Sequence, residues 1–350
     1  MYARISGDFT MQPKITFSIP TYNAASDLPN CLSSIRNQNY PKDKIEILIA
    51  DGDSEDDTVE IAKKFGAQVY HNEKRLADYG AKKIAKYATG DLLVIFAADN
   101  ELGSDDWVQK VATIFTEHKD IAAIWGRIVS GKDDPAINKY YALIQSDPFF
   151  FFMNQNLKAY LRRTSVEEIM GGECYFFKVE KERPLVWGAN GLTYDFHLVK
   201  DIILRDEFIA DNDVFQIVIE NGHNRVAYMP SLETVHHTVE SLSEWVSKWR
   251  RNFTKTFLGK MESRNLNWAF TKDFKRKLAL WLIYSLVPAF SFTDAVYKAV
   301  KDRSLYWMYH PLVAFAQSAV YIYLTLGTKS GRTMIHNVLK RGKLSQIEGA

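Results

Sequence analysis

Short apolar runs alternate with amphipathic runs over the first third of the chain. The apolar runs predict four β-strands, at residues 14–19, 45–50, 68–70 and 92–96. Between them apolar residues recur at helical spacing, which predicts helices over residues 28–37, 58–65 and 76–87. Because strands that alternate with helices are typical of βαβ units, we predict an α/β fold. Its sheet should be Rossmann-like and mainly parallel, with helices on both faces.

The pattern changes along the rest of the chain. A further helix and strand continue the alternation to residue 129, after which it stops. A mixed region to residue 230 is followed by a predicted helix over 242–258 and by apolar stretches at 278–290 and 305–327. We therefore predict an α/β domain over residues 12–240, divided near residue 130, and a helical region over residues 241–350.

Composition narrows the class of protein. The 350 residues carry a formal net charge of only +2, which does not indicate a basic nucleic-acid-binding surface, so we expect no nucleic-acid partner. The two cysteines, Cys31 and Cys174, lie too far apart in the sequence for a zinc ribbon and give no disulfide framework. Polar residues interrupt the N-terminal segment, so no secretory signal is expected, and a reducing cytosol is the simplest compartment.

Three of the four predicted strands end in a polar cluster. The clusters read P-T-Y-N at residues 20–23, D-G-D-S at 51–54 and A-A-D-N at 97–100. Any one of them is also what a turn or helix cap looks like. Ligands of open parallel sheets bind beyond the carboxyl ends of the strands, so three clusters at one edge favour a ligand site.

The chemistry of these clusters limits the ligand. The turn after the first strand has no glycine, and neither G-x-G-x-x-G nor G-x-x-x-x-G-K-[ST] occurs there. The strand ends offer carboxylates and amides instead of a phosphate-binding loop. Carboxylates repel a bare diphosphate, but they can bind N–H groups of a base and ribose hydroxyls, or a divalent cation that holds the phosphates.

The ordered set of motifs resembles the family-2 glycosyltransferases, which have the GT-A fold. It comprises S-I-P-T-Y-N, I-A-D-G-D-S-E-D-D-T, A-T-G-D-L-L-V-I-F, G-A-N-G, E-N-G-H and V-H-H, between residues 15 and 251. The resemblance implies a nucleotide-binding half up to residue 130 and an acceptor-binding half from 131 to 240. It also implies transfer of a sugar from a nucleoside-diphosphate sugar such as a UDP- or GDP-sugar.

The resemblance assigns roles to individual residues. Those implied for the nucleotide pocket are Pro20, Thr21, Asn23, Asp51, Asp53 and Lys82. Those implied for a cation, Mn²⁺ or Mg²⁺, are Asp99, His236 and His237. Those implied for the donor sugar and the acceptor are Asn100, Asn190 and Gly191.

Asp211 matches the catalytic base of the family. A single base that takes the acceptor proton, together with one cation and no second nucleophile, predicts inversion at the anomeric carbon. The alternative for Asp211 is a cap of the helix that follows it.

Two departures from the family pattern keep alternatives open. Ala97 replaces the first Asp of the D-x-D metal motif, and the Q-x-x-R-W motif of processive polymerases is absent. The second departure favours addition of a single sugar. The first leaves open a degenerate, non-catalytic glycan- or nucleotide-binding scaffold, and a nucleotidyltransferase remains a second alternative.

The two C-terminal apolar stretches predict contact with a membrane. Residues 278–290 are too few to span a bilayer and contain Pro288, while residues 305–327 include His310 and Gln317. Their aromatic residues and flanking Lys and Arg favour interfacial or re-entrant helices at the cytosolic membrane face, with a lipid-linked glycan as the acceptor. The alternatives are a helical subdomain packed on the α/β domain and one spanning helix over residues 311–327.

Overall fold

A computed structural model describes residues 12–153, 156–162, 164–181, 185, 190–205, 210–258 and 273–336. The described strands are β1 (Ile15–Thr21), β2 (Ile45–Asp51), β3 (Gln68–His71), β4 (Leu92–Ile95), β5 (Asn100–Leu102), β6 (Ala123–Val129), β7 (Ser165–Ile169), β8 (Gly172–Lys178), β9 (Leu192–Asp195) and β10 (Arg225–His236).

The helices interleave with these strands and dominate the C-terminal part. Those up to residue 220 are α1 (Leu28–Arg36), α2 (Thr58–Lys64), α3 (Ala77–Ala85), α4 (Trp107–Glu117), α5 (Ala136–Ile144), α6 (Pro148–Met153), α7 (Asn156–Leu161), α8 (Phe196–Ile203) and α9 (Asp211–Glu220). The later ones are α10 (Leu242–Asn252), α11 (Phe274–Leu286), α12 (Pro288–Lys301) and α13 (His310–Gly327).

The strands form one ten-stranded sheet in the order β3-β2-β1-β4-β9-β6-β10-β8-β7, with β5 paired to β10. Strands β3, β2, β1 and β4 are mutually parallel. Strands β9, β8, β7 and β5 pair antiparallel to their neighbours, so the sheet as a whole is mixed rather than mainly parallel. The N-terminal half keeps the predicted parallel order because each of its crossovers contains a helix.

Apolar residues on successive strand positions point to opposite faces, and helices cover both. Ile45, Ile47 and Ile49 of β2 pack with α1, α2 and α4 on one face. Leu48 and Ala50 pack with α3, α8 and α9 on the other. This two-sided burial explains why β2 reads as a continuous apolar run and not as an alternating one. The predicted α/β fold with helices on both faces is confirmed.

The chain divides into two compact units. Within the described residues, the first runs to Lys132 and continues from residue 156 to Thr238. The second comprises Asp133–Met153 and the described residues from Val239 onward. Helices α5 and α6 therefore belong with the C-terminal helices, whereas the predicted division near residue 240 placed them in the α/β domain.

The second unit is helical, as predicted, but its helices break at other points. The predicted helix over 242–258 is α-helical only to Asn252 and continues as a π-helix over Phe253–Leu258. The apolar stretch 278–290 belongs to two helices, α11 and α12, because Pro288 starts a new helix and has no N–H to continue the old one.

No helix in the described part of the chain is by itself long and apolar enough to cross a membrane. Two bent pairs reach the required length and composition when their members are taken together. One joins α11 to α12 through a turn of 86°, and the other joins Leu305–Gly327 to Lys329–His336 through a turn of 89°.

Candidate active site

The carboxyl ends of β1, β2 and β3 stand in one row. Thr21 pairs with Asp51, and Asp51 pairs with His71, so the last residues of three parallel strands are neighbours. The Gly52 N–H donates to the Thr21 carbonyl at 2.9 Å, which closes the row as the chain leaves the sheet. The predicted strands end one or two residues too early. Their last residues have polar side chains, which do not extend the apolar pattern although the backbone is still extended.

Asp51 is buried and its carboxylate is held by three donors. Oδ1 accepts from Thr21 Oγ1 at 2.9 Å and from Ser54 Oγ at 2.6 Å, and Oδ2 accepts from the Ser54 N–H at 2.9 Å. A carboxylate offers about four acceptor positions. One position on Oδ2 therefore remains beyond these three contacts, and it suits a single N–H or O–H of a ligand.

The loop after β1 is fixed to the loop after β2. The Asn23 N–H donates to Ser54 Oγ at 2.9 Å, and Asn23 Oδ1 accepts from the Glu55 N–H at 2.8 Å. Asn23 and Asp53 have positive φ values, 47° and 62°, which most side chains avoid. Strained residues of this kind cluster at binding sites, where the surrounding bonds hold them in place.

An exposed charged group follows this loop. Asp53 lies 2.6 Å from His71 Nε2 and 2.9 Å from Arg75 Nη2, and the Arg75 guanidinium lies 5.7 Å from the ring centroid of Tyr22. The hydrogen bond from Arg75, with a smaller contribution from His71, lowers the pKa of Asp53 below its ordinary value. The carboxylate is thus ionised and paired, and the guanidinium is held between Asp53 and the Tyr22 ring.

A second polar group forms where β5 pairs with the end of β10. His236 of β10 lies opposite Asn100 in this antiparallel ladder, and the His237 N–H donates to the Asp99 carbonyl at 3.0 Å. As a result His236 Nε2 lies 3.4 Å from Asp99 Oδ2. The structure therefore brings His236 to Asp99 and Asn100, from which it is separated by more than 130 residues in the sequence.

Asn190 connects this group to the end of β4. Asn190 Oδ1 accepts from Asn100 Nδ2 at 3.1 Å, and Asn190 Nδ2 lies 2.9 Å from His236 Nδ1. The next residue, Gly191, has a φ of 80° and donates its N–H to the Ile95 carbonyl at 3.0 Å. A side chain at that position would lie 2.6 Å from Thr234 Oγ1, so glycine is required. The preceding residues of the G-A-N-G motif, Gly188 and Ala189, lie outside the described residues.

The Asp99–His236 pair has the chemistry of a partial cation site. Neighbouring ligands of one divalent cation, each at about 2.1 Å, lie about 3 Å apart, which matches the 3.4 Å separation here. No cluster of three or more His, Cys, Asp or Glu that would hold a metal occurs within the described residues. A cation bound by one carboxylate and one imidazole would take its remaining ligands from phosphate and water, which is how Mg²⁺ is commonly held in phosphate sites.

The two histidines predicted for the cation site lie in different environments. His236 contacts Asp99, whereas His237 Nε2 lies 3.1 Å from Glu101 Oε1. Thr238 Oγ1 is 3.0 Å from His236 Nδ1. Asn190 Nδ2, which can only donate, lies 2.9 Å from the same Nδ1, so Nδ1 accepts and the proton of a neutral His236 ring is on Nε2, facing Asp99. A cation bound between Asp99 and His236 would take the place of that proton.

Three further predicted residues are Lys82, Asp211 and Pro20. Lys82 of α3 donates to the Arg205 carbonyl at the end of α8, so its ammonium is engaged by the protein backbone. Asp211 is the first residue of α9, and its side chain lies outside the described residues. Pro20 precedes Thr21 at the end of β1, and its ring would clash with a side chain at Gly80 of α3, so α3 closely approaches this edge.

The two polar groups share one sheet edge. Asp51 ends β2 and Asp99 follows β4, and these strands flank β1 on either side. Because neighbouring strands are about 4.8 Å apart, the two strand ends lie about 10 Å apart. The order of the strands also reverses here, because β2 and β3 lie on one side of β1 and β4 lies on the other. Helix α1 packs on one face of the sheet and α3 on the other, and such a point is where open α/β sheets bind ligands.

Sequence reasoning missed several members of the site. Ser54 was noted only as part of the D-G-D-S cluster, Glu101 was not considered, and His71 was overlooked because β3 was expected to end at Tyr70. The run H-N-E-K-R after β3 was a fourth polar cluster at a strand end, and it carried the same signal as the other three.

The comparisons with known proteins bear directly on this edge. Residues 16–179 match the model of the glycosyl transferase family 2, a range that begins in β1 and includes Asp51, Asp99 and Asn100 but ends before Asn190 and His236. The chain carries a family-2 glycosyltransferase domain. It is therefore an enzyme of the transferase class, and the resemblance inferred from the motifs is confirmed.

Curated relatives of this glycosyltransferase cover different shares of it. A dolichyl N-acetyl-α-D-glucosaminyl phosphate 3-β-D-2,3-diacetamido-2,3-dideoxy-β-D-glucuronosyltransferase of Methanococcus voltae is 25% identical over 67% of this chain and 70% of its own. Glycosyltransferase AglE of Haloferax volcanii is 28% identical over 29% of this chain and 36% of its own. The first alignment thus spans more than two thirds of the relative, and the second about one third.

Solved glycosyltransferases show a distant likeness. Mannosyltransferase PcManGT from Pyrobaculum calidifontis, in complex with GDP-Man and Mn²⁺, is 16% identical, with 88% of this chain and 86% of that chain covered and a TM-score of 0.48. Residues 1–349 of TarS from S. aureus are also 16% identical, over 93% and 92%, with a TM-score of 0.47.

Proposed function

We propose that this glycosyltransferase moves a single sugar from a nucleoside-diphosphate sugar to an acceptor hydroxyl, with inversion. The observation that carries the proposal is the pair of polar groups on either side of the β1 end. One contains a buried carboxylate with an open acceptor position, and the other contains a carboxylate and an imidazole at cation-ligand spacing.

The group around Asp51 is suited to the nucleoside. The remaining acceptor position on its Oδ2 can take one N–H of the base or one ribose hydroxyl. Thr21 and Ser54 hold the carboxylate in one orientation, so little ordering is needed when the nucleoside binds. The Asn23 N–H donates to the same Ser54 hydroxyl that donates to Asp51, which fixes the loop after β1 next to this carboxylate.

The group around Asp99 is suited to the diphosphate. Asp99 and His236 would hold a divalent cation, which when bound offsets the charge of the departing nucleoside diphosphate. Ala97 removes one carboxylate from this group, and His236 supplies a ligand in its vicinity. The same donor pair argues against the alternative of a non-catalytic scaffold, which has no need of an oriented imidazole.

Asp211 is our proposed base. Direct displacement at the anomeric carbon requires one carboxylate to take the acceptor proton as the new bond forms. No covalent sugar intermediate is needed with one base, so the anomeric configuration inverts.

The acceptor is proposed to be a lipid-linked glycan at the cytosolic face of a membrane. Support comes from the Methanococcus relative, whose name describes a dolichyl-phosphate-linked acceptor sugar.

The test is a panel of UDP- and GDP-sugars incubated with the purified chain and a membrane lipid extract. We expect one donor to be consumed and one sugar to appear on a lipid product, with the anomeric configuration opposite to that of the donor. Asp211→Asn is the matched control for adventitious hydrolysis. A product with retained configuration, or consumption that is unchanged in the Asp211 variant, would overturn the proposed mechanism.

A further inference from the structure

Helix α12 buries small residues and exposes large apolar ones, the reverse of what is usual for a helix in water. The stripe that packs against its neighbours carries small residues, Ser291, Ala295 and Ala299. Large apolar residues face outward instead, with Phe292 51% and Val300 75% exposed. A helix at a water-exposed surface normally buries its large apolar residues and exposes its polar ones.

Helices α11 and α13 repeat this inversion. Ser285 and Ser318 are fully buried and joined by a 2.7 Å hydrogen bond between their hydroxyls. Ile283 and Leu312, which lie on the outer sides of the same two helices, are more than half exposed. Polar groups thus lie between the helices beside buried apolar residues such as Trp281 and Val313, and further aliphatic groups lie outside them.

The buried polar groups of this bundle are hydrogen-bonded to one another. His310 lies 2.6 Å from the Tyr140 hydroxyl through Nδ1 and 2.8 Å from the Tyr284 hydroxyl through Nε2. The Tyr284 hydroxyl in turn donates to Asp294, which also binds Lys298. Internal pairing of this kind is what an apolar solvent demands, because that solvent offers polar groups no partner.

The turn between α11 and α12 is the most apolar point of this surface. All five residues from Leu286 to Phe290 are exposed, and none carries a polar side chain. The chain turns by 86° at this point. Arms of 13 and 14 residues, at about 1.5 Å each, are about 20 Å long. The turn would then lie about 14 Å from the line joining the far ends, which is about the hydrocarbon depth of one leaflet.

Cationic residues occupy those far ends. Lys275 and Arg276 are exposed at the start of α11, and Lys301 and Arg303 are exposed at and beyond the end of α12. A wedge with an apolar turn and cationic ends matches the profile of a membrane leaflet, with acyl chains inside and anionic headgroups at the surface.

We propose that α11, the turn Leu286–Phe290 and α12 insert as a wedge into one leaflet of an anionic phospholipid bilayer. The turn lies among the acyl chains, and the four cationic residues bind the headgroups. This deepens the proposed function, on whose membrane-bound acceptor it rests, by naming the segment that holds the enzyme at the surface.

The test compares two valine substitutions in the full-length chain. Val287 in the turn is 44% exposed, and Val166 on β7 of the first unit is 48% exposed, so Val287→Asp and Val166→Asp are a matched pair. Binding is measured by flotation with vesicles of phosphatidylcholine and 30% phosphatidylglycerol. We expect Val287→Asp to weaken vesicle binding at least tenfold, and Val166→Asp to bind as the unchanged chain does.

A second measurement reports the depth of the turn. An environment-sensitive fluorophore at Val287→Cys should be quenched by lipids brominated on their acyl chains, whereas the same fluorophore at Val166→Cys should not. Equal quenching at both positions, equal binding of both Asp variants, or no binding of the unchanged chain would overturn the wedge. Conversion of an oligomer to a monomer by Val287→Asp, with unchanged vesicle binding, would assign the face to self-association instead.

Transfer to a water-soluble acceptor analogue separates this inference from the proposed function. Both Asp variants should retain that activity, because neither residue belongs to the candidate active site. Vesicle binding without any transfer would refute the function and leave the wedge standing. Transfer without vesicle binding would refute the wedge and leave the function standing.

Discussion

Replacing Asp51 tests the nucleoside half of the site most sharply. Asp51→Ala removes the acceptor of three hydrogen bonds, from Thr21 Oγ1, Ser54 Oγ and the Ser54 N–H. The two hydroxyls can turn to other acceptors, but the backbone N–H cannot. An unsatisfied donor costs about 1–3 kcal/mol, so we expect a loss of about 2 kcal/mol in the free energy of unfolding.

The effect on nucleotide binding should be separable from this loss. A hydrogen bond from a ligand to a charged acceptor contributes about 1.5–3 kcal/mol. At about 1.4 kcal/mol for each factor of ten, Asp51→Ala should weaken nucleoside-diphosphate affinity by about 10- to 100-fold. Asp51→Asn should weaken it less, because the amide oxygen can still face the Ser54 N–H and keep its second acceptor position.

Glu46 provides a matched control at the other end of the same strand. It is also a buried carboxylate, and it accepts from Thr16 Oγ1 at 2.6 Å and from the Thr89 N–H at 2.9 Å. Glu46→Ala should lower stability by a similar amount and leave the affinity unchanged.

The assay pairs calorimetric titration of the nucleoside diphosphate with thermal unfolding of each variant. If the Asp51 and Glu46 variants lose affinity equally, or if Asp51→Ala only lowers the melting temperature, Asp51 is a structural turn residue and the reasoning fails.

Three further outcomes follow from the geometry. Asp211→Asn should abolish transfer and leave donor affinity within about twofold, because a base acts on the acceptor; equal loss of donor affinity would contradict this role. His236→Ala should reduce the effect of Mn²⁺ on nucleotide affinity by about tenfold, whereas His237→Ala should not, and titrations with and without Mn²⁺ decide between them. Gly191→Ala should destabilise the chain by more than Gly222→Ala, because both glycines have positive φ but only the first would clash with a neighbouring hydroxyl; equal shifts in melting temperature would refute that clash.

The parallel half of the fold was predictable because its signals are local. Apolar runs bounded by polar residues located β1, β2 and β4 to within two or three residues, and the helical spacing of Leu28, Leu32 and Ile35 located α1. Each crossover is short and contains a helix, so the parallel pairing of these strands followed from general rules of chain connection, whereas their order in the sheet was not predicted.

The antiparallel half could not be read in the same way. Strand β5 has three residues, Asn100–Leu102, and too few apolar positions to show any alternation. It pairs with the last residues of β10, Thr234–His236, which follow a register shift in the pairing of β10 with β6, and no local sequence pattern predicts either feature. That pairing decides which of the two histidines faces Asp99, and so the sequence left His236 and His237 equivalent.

The sequence predicted that the C-terminal helices are apolar. It did not predict that their large apolar residues would be exposed and their polar residues buried. Periodicity shows which residues share a helix face, but it does not show whether protein or solvent covers that face. The exposure of Phe292 and Val300, and the burial of Ser285 and Ser318, emerge only when the helices are packed.

The most direct test of the central claim is the affinity of the purified chain for UDP and GDP, measured with and without Mn²⁺. Our account predicts saturable binding of one of them, tightened by Mn²⁺ in the unchanged chain and no longer tightened in Asp99→Asn. Failure to bind either nucleotide in the presence of Mn²⁺, or an identical Mn²⁺ effect in the Asp99 variant, would contradict it.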